Sequence, residues 1–403
     1  MRVLIADRLP DSARTKLQSA GIEVVLDPSL ADDTLTAALR EHDPAVLVVR
    51  STRVTADHVA AGRALQLVIR AGAGVNTIDL AAASARGVFV ANCPGTNSIA
   101  VAELTMAHIL NADRRVADNV ADLRAGSWRK KEYSRARGLA GRVLGVIGCG
   151  AIGAEVISRA QAFGMDVIGW SPSLDAARAT QLGIRPMGSA VDVAQRADVL
   201  SVHVALTPAT RGLIGEAVFA AMRPGTMFVN TSRGEVVDEA ALMQAVREKR
   251  VRAGLDVFCD EPGKDGDWRT DLAALDGVYG THHIGASTEQ AQEAVAADVC
   301  RIVLAFRDTG NAPNCVNLAL ETPASHLLVV RHADHVGVLA AILDRLRQAG
   351  INVQRMENVI FTGDDGAACA RIQLEGTPAP GLVDALRDQA SIFDAVLLPL
   401  PAA

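Results

Sequence analysis

The segment "GVIGCGAIGAEV" sets glycines at 148, 150 and 153, a G-x-G-x-x-G spacing that follows an apolar run and opens an amphipathic one. In that context Gly148 allows a tight turn, Gly150 lets backbone approach a pyrophosphate, and Gly153 permits close helix–strand packing. The helix N-terminus then offers N–H groups and a partial positive charge to the anion. At the end of the next strand, where an acidic residue normally holds the ribose hydroxyls, stands Ser171, in "GWSPSL", with no basic residue before Arg178. NAD is the cofactor this pattern predicts, with NADP as the alternative. A second group able to do chemistry is the histidine pair His282 and His283 in "THHIGAST". An imidazole titrates near neutrality and suits general acid–base work, but local sequence does not choose between the two.

Positioning such groups requires a scaffold. Short apolar runs, "VLIAD", "EVVLD", "AVLVVR", "LQLVIRAG" and "VFVANC", alternate with amphipathic segments over the first 93 residues. A helical stretch spans residues 98 to 126. A second series follows: "RVLGVIG", "MDVIGW", "DVLSVHV", "TMFVN", "RAGLDVF" and "GVYGTHH". This βα rhythm predicts an α/β protein with two doubly wound parallel-sheet domains, flavodoxin-like and Rossmann, and a ligand cleft at the carboxyl ends of the strands. Beyond a turn-rich stretch, the order strand–helix–strand–strand–helix–strand predicts a ferredoxin-like C-terminal domain.

With 403 residues the chain has room for two or three domains. A net charge of -6 argues against nucleic-acid binding, and the basic cluster "RKKEYSRAR" reads as a solvated loop. No run approaches the roughly 18 apolar residues of a membrane span. The opening "MRVLIADRLP", interrupted by Asp7, is too short for a signal peptide. Cys93, Cys149, Cys259, Cys300, Cys315 and Cys369 form no C-x-x-C pair, so neither a metal site nor a disulfide framework is expected. A cytoplasmic enzyme that binds small molecules, without nucleic acid or membrane partners, fits these features.

Three further segments, "NTSRGEVVDEAAL", "AGLDVFCDEP" and "THHIGAST", follow the glycine motif in the order used by D-2-hydroxyacid dehydrogenases, and the chain resembles the phosphoglycerate-oxidising branch of that family. "VRSTRVTAD", "RAGAGVNTIDL" and "NCPGTNSIAVAEL" resemble its substrate-domain segments, and the C-terminal domain resembles its ACT regulatory module. The resemblance implies a substrate-binding domain over 1–97, completed by about 285–308, and an NAD-binding Rossmann domain over 98–284. It further implies a linker over 309–325 and an ACT domain over 326–403.

Arg233, Glu261 and His283 are the catalytic residues this resemblance implies. His283 would exchange the hydroxyl proton, Glu261 would orient the imidazole, and Arg233 would bind the substrate carboxylate and polarise the carbonyl. The family normally has proline at the position of His282. Besides Ser171 and the three glycines, the implied cofactor contacts are Asp256 at the carboxamide and the backbone of Ala151 and Ile152 at the pyrophosphate. Val204, Thr231, Ser232 and the turn Ile284, Gly285 and Ala286 complete them. Ala73 and Gly74 would face the substrate carboxylate, and Arg50 with Arg53 its phosphate. In the ACT module His332 and Asn352 match effector contacts, and Asp334 stands where asparagine is expected. The implied reaction is NAD-dependent oxidation of D-3-phosphoglycerate to 3-phosphohydroxypyruvate, which opens serine biosynthesis. The alternative is another phosphorylated, phosphono- or plain 2-keto acid. L-serine or another amino acid is the implied effector. A homodimer or homotetramer is expected, assembled through the 98–126 stretch and the edge strands of the last domain.

Overall fold

The structure, a computed structural model, describes residues 1–262, 266–319, 321–363 and 366–401. It divides into two compact units, Met1–Asn317 and Leu318–Ala403.

In the first unit, the apolar runs near the N-terminus form β1 (Arg2–Ile5), β2 (Glu23–Leu26), β3 (Val46–Val49), β4 (Leu67–Arg70) and β5 (Phe89–Asn92). They make a parallel sheet in the order β2-β1-β3-β4-β5. Val46 to Val49 are buried on both faces, as a central parallel strand requires. The winding reverses between β1 and β3, which opens a crevice at the carboxyl edge. Register pairs Val49 with Arg70, so Arg50 and Arg70 emerge side by side at that edge. The Asp7 carboxylate accepts the N–H groups of Arg50, Ser51 and Thr52 at 2.6, 3.2 and 3.1 Å and so fixes the turn that carries Arg50.

A second sheet holds β6 (Val143–Ile147), β7 (Asp166–Trp170), β8 (Arg185–Pro186), β9 (Val199–Val202), β10 (Met227–Asn230), β11 (Arg252–Leu255) and β12 (Val278–Gly280). Its order is β12-β11-β10-β9-β6-β7-β8, all parallel, with the switch point between β6 and β9. The glycine motif leaves β6 at that switch point. The two-residue edge strand β8 carries no sequence pattern that predicted it. The helix Glu289–Thr309 returns to the first sheet, where Val295, Val299, Val303 and Phe306 join the core around Ile5 and Leu17.

The helical stretch over 98 to 126 is not continuous. It forms Ser98–Arg114 and Val116–Arg124, broken at Arg115, whose φ is 53°. Local side-chain contacts hold the break: the Asn111 side-chain oxygen accepts the Ala117 N–H at 2.8 Å, and the Arg115 guanidinium meets Asp118 at 2.8 Å. Behind it, the buried ion pair Asp113–Arg142 at 3.0 Å ties the first helix to the entry of β6.

The second unit runs β13 (Ala324–Ala333), helix Val338–Gln348, β14 (Asn352–Ile360), β15 (Ala367–Glu375), helix Leu382–Arg387 and β16 (Ile392–Pro399). The antiparallel order β14-β15-β13-β16 is the ferredoxin-like arrangement. Leu328, Val330, Ile372 and Leu374 alternate onto the face that the helices cover through Ile342, Leu346 and Leu386. No helix among the described residues is long and apolar enough to cross a membrane.

Candidate active site

The carboxyl ends of the two parallel sheets border a cleft of about 640 Å³ within the first unit. Ala73, Gly74, Ala151, Ile152 and Val204 line it, with Thr231, Ser232, Arg233, Asp256, His283, Gly285 and Ala286. Sequence-expected residues from both sheets thus converge on one space.

The turn after β10 explains how Arg233 reaches it. Asn230 ends the strand, accepts the Ser232 N–H at 3.0 Å and the Ser232 hydroxyl at 2.7 Å, and donates to the Arg233 carbonyl at 2.9 Å. A Cβ at Gly234 would lie 2.1 Å from the Phe258 carbonyl carbon, so only glycine lets this turn pack against the chain that carries Glu261. On the other side, a Cβ at Gly74 would lie 2.8 Å from an Arg233 nitrogen. The guanidinium therefore rests against the 73–74 backbone.

His283 Nδ1 lies 2.6 Å from Glu261 Oε2, and the other Glu261 oxygen accepts the Phe258 N–H at 2.8 Å. Burial opposes ionisation of Glu261. The His283 and Phe258 hydrogen bonds, with the charges of His283 and Arg233, outweigh it and hold the carboxyl below its ordinary value. An ionised Glu261 can only accept, so Nδ1 carries the proton and Nε2 remains for exchange with a ligand. His283 adopts φ 50°, a conformation that L side chains rarely take and that clusters at functional sites. His282 is exposed and lies outside the cleft lining.

Three arginines meet at the first sheet's edge. The side chain of Arg70, which sequence reasoning did not single out, lines the cleft and donates to the Arg50 carbonyl at 3.0 Å. Burial, then the charges of Arg233 and Arg50, push its pKa down to about 10, which leaves it cationic at neutral pH. Neither Arg50 nor Arg53 lines the cleft; Arg50 reaches its edge through the Arg70 bond, and Arg53 is exposed. Asn97 and Ser98 also went unremarked. The Asn97 side-chain oxygen and the Ser98 hydroxyl are buried without partners among the described residues, at the start of the helix that faces the cleft. His203 bonds Ser201 at 2.8 Å, burial pushes its pKa down to about 3, and its Nδ1 is likewise unpartnered.

The glycine motif fits a dinucleotide pyrophosphate. A Cβ at Gly148 would sit 2.6 Å from the His203 carbonyl group, and one at Gly153 would sit 2.1 Å from the Gly148 oxygen. At Gly150, the N-cap of helix Ala151–Ala162, a Cβ would meet nothing within 4 Å, so the space in front of the helix N-terminus is open. Ser171 follows β7, its hydroxyl 3.3 Å from that of Ser173. Ile284 contributes its backbone N–H to Asp256 at 2.9 Å. Among the described residues no group of His, Cys, Asp and Glu could hold a metal ion.

The chain is similar to known proteins. The family model described as D-isomer specific 2-hydroxyacid dehydrogenase, NAD binding domain, matches residues 106–285. The D-3-phosphoglycerate dehydrogenase of Methanocaldococcus jannaschii is 40% identical over 320 residues, which is 79% of this chain and 60% of that one. The chain belongs to the D-isomer-specific 2-hydroxyacid dehydrogenase family. The D-3-phosphoglycerate dehydrogenase of Mycobacterium leprae is 42% identical over 317 residues, 78% of this chain and 58% of its own. This member of the family thus spans about three fifths of the length of those two relatives. The TT0316 protein of Thermus thermophilus matches in structure with a TM-score of 0.70 at 32% identity, covering 78% of this chain and 100% of that one. The family model describes residues 106–285 as an NAD binding domain, so NAD is the cofactor they hold.

In the second unit the sheet register separates the effector candidates. Along β15, Asn352 pairs opposite Glu375, whereas His332 pairs opposite Ala368, at the other end of the sheet. His332 is buried, bonded to the Ala333 carbonyl at 2.8 Å and to Asn358 at 3.1 Å. Asp334 lies beside Gly366 at the His332 end. One copy of this unit does not bring the three residues together.

Proposed function

We propose that the chain interconverts D-3-phosphoglycerate and 3-phosphohydroxypyruvate by hydride transfer, with the cofactor and substrate meeting in the 640 Å³ cleft. The observation that carries this reading is the His283–Glu261 pair at 2.6 Å, with His283 lining one cleft together with Arg233 and with Ala151 and Ile152 of the glycine turn. Bound NAD would supply the nicotinamide that accepts and returns the hydride. Gly148 and Gly153 let the turn pack closely, and Gly150 leaves room for its pyrophosphate before the N–H groups of Ala151 and Ile152. His283 Nε2 takes the alcohol proton in oxidation and returns it in reduction, while Glu261 stabilises the imidazolium formed. Arg233 holds the carboxylate and polarises the carbonyl. In this reading Arg50 and Arg70 form a cationic edge that favours a phosphorylated substrate, and the chain acts at the entry of serine synthesis.

Hydride transfer has a direct signature. Reduction of 3-phosphohydroxypyruvate by NADH deuterated at both C4 positions should give D-3-phosphoglycerate carrying one deuterium at C2, read by mass spectrometry. Product without the label, or of L configuration, would overturn the reading.

The protein acts as a homo-oligomer in this proposal. Val116, Val120, Leu123 and Trp128 are exposed and, on the helix Val116–Arg124 and just beyond it, form an apolar stripe. The second unit serves as an ACT module, and its effector, serine or another amino acid, bridges two copies, since His332 and Asn352 stand apart within one. A serine titration should lower activity and raise the melting temperature. No response in either would remove the sensing role.

A further inference from the structure

The segment that presents His283 hangs on a chain of buried polar groups that begins far from it in sequence. Thr281 Oγ1 lies 2.6 Å from Asp256 Oδ1 and 3.1 Å from His108 Nε2. Asp256 accepts the N–H groups of Ile284 at 2.9 Å and Gly285 at 2.8 Å. His108 and Asp256 are 4% and 1% exposed. The directions follow from the groups themselves. A carboxylate only accepts, so the Thr281 hydroxyl donates to Asp256, and Thr281 must therefore accept from His108, whose Nε2 carries the proton. Burial lowers the pKa of His108, against the charge of Asp256, and favours the neutral ring that this tautomer requires. Gly254 makes the space: a Cβ there would lie 2.6 Å from the His108 Cβ and 2.9 Å from its ring.

We propose that His108 is a positioning residue that acts through Thr281 and Asp256 to hold His283 in its reactive geometry. The two ends of the chain bracket the catalytic histidine. Thr281 is tethered two residues before it, and the amides of Ile284 and Gly285 immediately after it. Between them His283 is kept at φ 50°, a conformation its own side chain disfavours. With His282 rather than proline in the intervening position, ring closure does not restrict the backbone of Thr281. Its side-chain bonds supply the restraint. His108 itself is absent from the cleft lining.

This inference rests on the acid–base reading of His283, and the test separates the two. The full-length variants His108→Leu, Thr281→Val and His108→Gln are compared with the native chain by steady-state kinetics, NADH fluorescence titration and hydrogen exchange of the 281–288 segment. His108→Leu and Thr281→Val should lower kcat by up to about 10²-fold, the cost of misplacing a reacting group by about 1 Å. KM and NADH affinity should stay nearly unchanged, and the Ile284 and Gly285 amides should exchange faster. His108→Gln, which keeps an N–H donor, should recover much of both effects. Unchanged kcat and exchange in the first two variants, or no recovery with glutamine, would overturn the proposal. A parallel loss of NADH affinity would mean a merely structural role and overturn it equally. Should His108→Leu fail to fold, Thr281→Val carries the same comparison. A native chain that reduces no 2-keto acid would sink the reading of His283, and amide exchange alone would then decide whether the chain of bonds holds the loop.

Discussion

His283→Ala is expected to lower kcat by roughly 10²–10⁴-fold, the span for losing a general acid–base, while NADH binding is nearly preserved. The imidazole is the one group in the cleft that combines a free ring nitrogen with an ionised partner, Glu261, at 2.6 Å. His203 also lines the cleft, but burial pushes its pKa down to about 3, so its ring stays neutral and does not take up a second proton at physiological pH. The glycine turn that would hold the pyrophosphate lies on a different element, after β6, and its geometry does not depend on residue 283. His282→Ala is the matched control, with activity close to native, since that residue is exposed and outside the cleft. Steady-state kinetics on both variants check this. Native turnover in His283→Ala together with a large loss in His282→Ala would show that the other histidine does the work.

Arg233→Lys should cost on the order of 10²–10³ in kcat/KM, the loss typical when one preorganised donor to developing charge is removed. The guanidinium is planar and offers paired donors to a carboxylate, which an ammonium group does not replace. Its seat is specific as well. Asn230 fixes the turn, and the absence of a Cβ at Gly74 lets the fork rest against the loop at 73–74. Lysine keeps the charge near Arg70 and Arg50 but loses the fork, so folding and NADH affinity should remain native. A lysine variant with native kcat/KM would show that Arg233 contributes charge alone.

Much of this architecture was legible from residue pattern, because buried parallel strands are short, apolar and bounded by turns. The glycine motif was readable as a local turn, whereas the SRG, DEP and THH segments became readable only through their order along the chain and the resemblance it carries, since local sequence does not choose between His282 and His283. What escaped depends on contacts distant in sequence. The break at Arg115 interrupts an unbroken amphipathic pattern, and its guanidinium is held there by Glu132 and the Tyr133 ring, which lie on a separate short helix. Arg70 gains its place from strand register, which sets it beside Arg50 across β3 and β4. His108 looked like one polar residue in a long helix, and only the fold brings Thr281 and Asp256 to it. Matching His332 and Asn352 to effector contacts could not show that sheet register puts them at opposite ends of one copy.

Under the proposed function the arginine edge selects a phosphorylated 2-keto acid for hydride transfer. The most direct test of this claim is kcat/KM in the reducing direction for 3-phosphohydroxypyruvate, hydroxypyruvate, phosphonopyruvate and 2-oxoglutarate, each with NADH and with NADPH. A preference of at least about tenfold for 3-phosphohydroxypyruvate with NADH is expected, about 1.4 kcal/mol of transition-state discrimination. Equal or better turnover of an unphosphorylated acid would contradict the claim and leave Arg50 and Arg70 without the role given to them here.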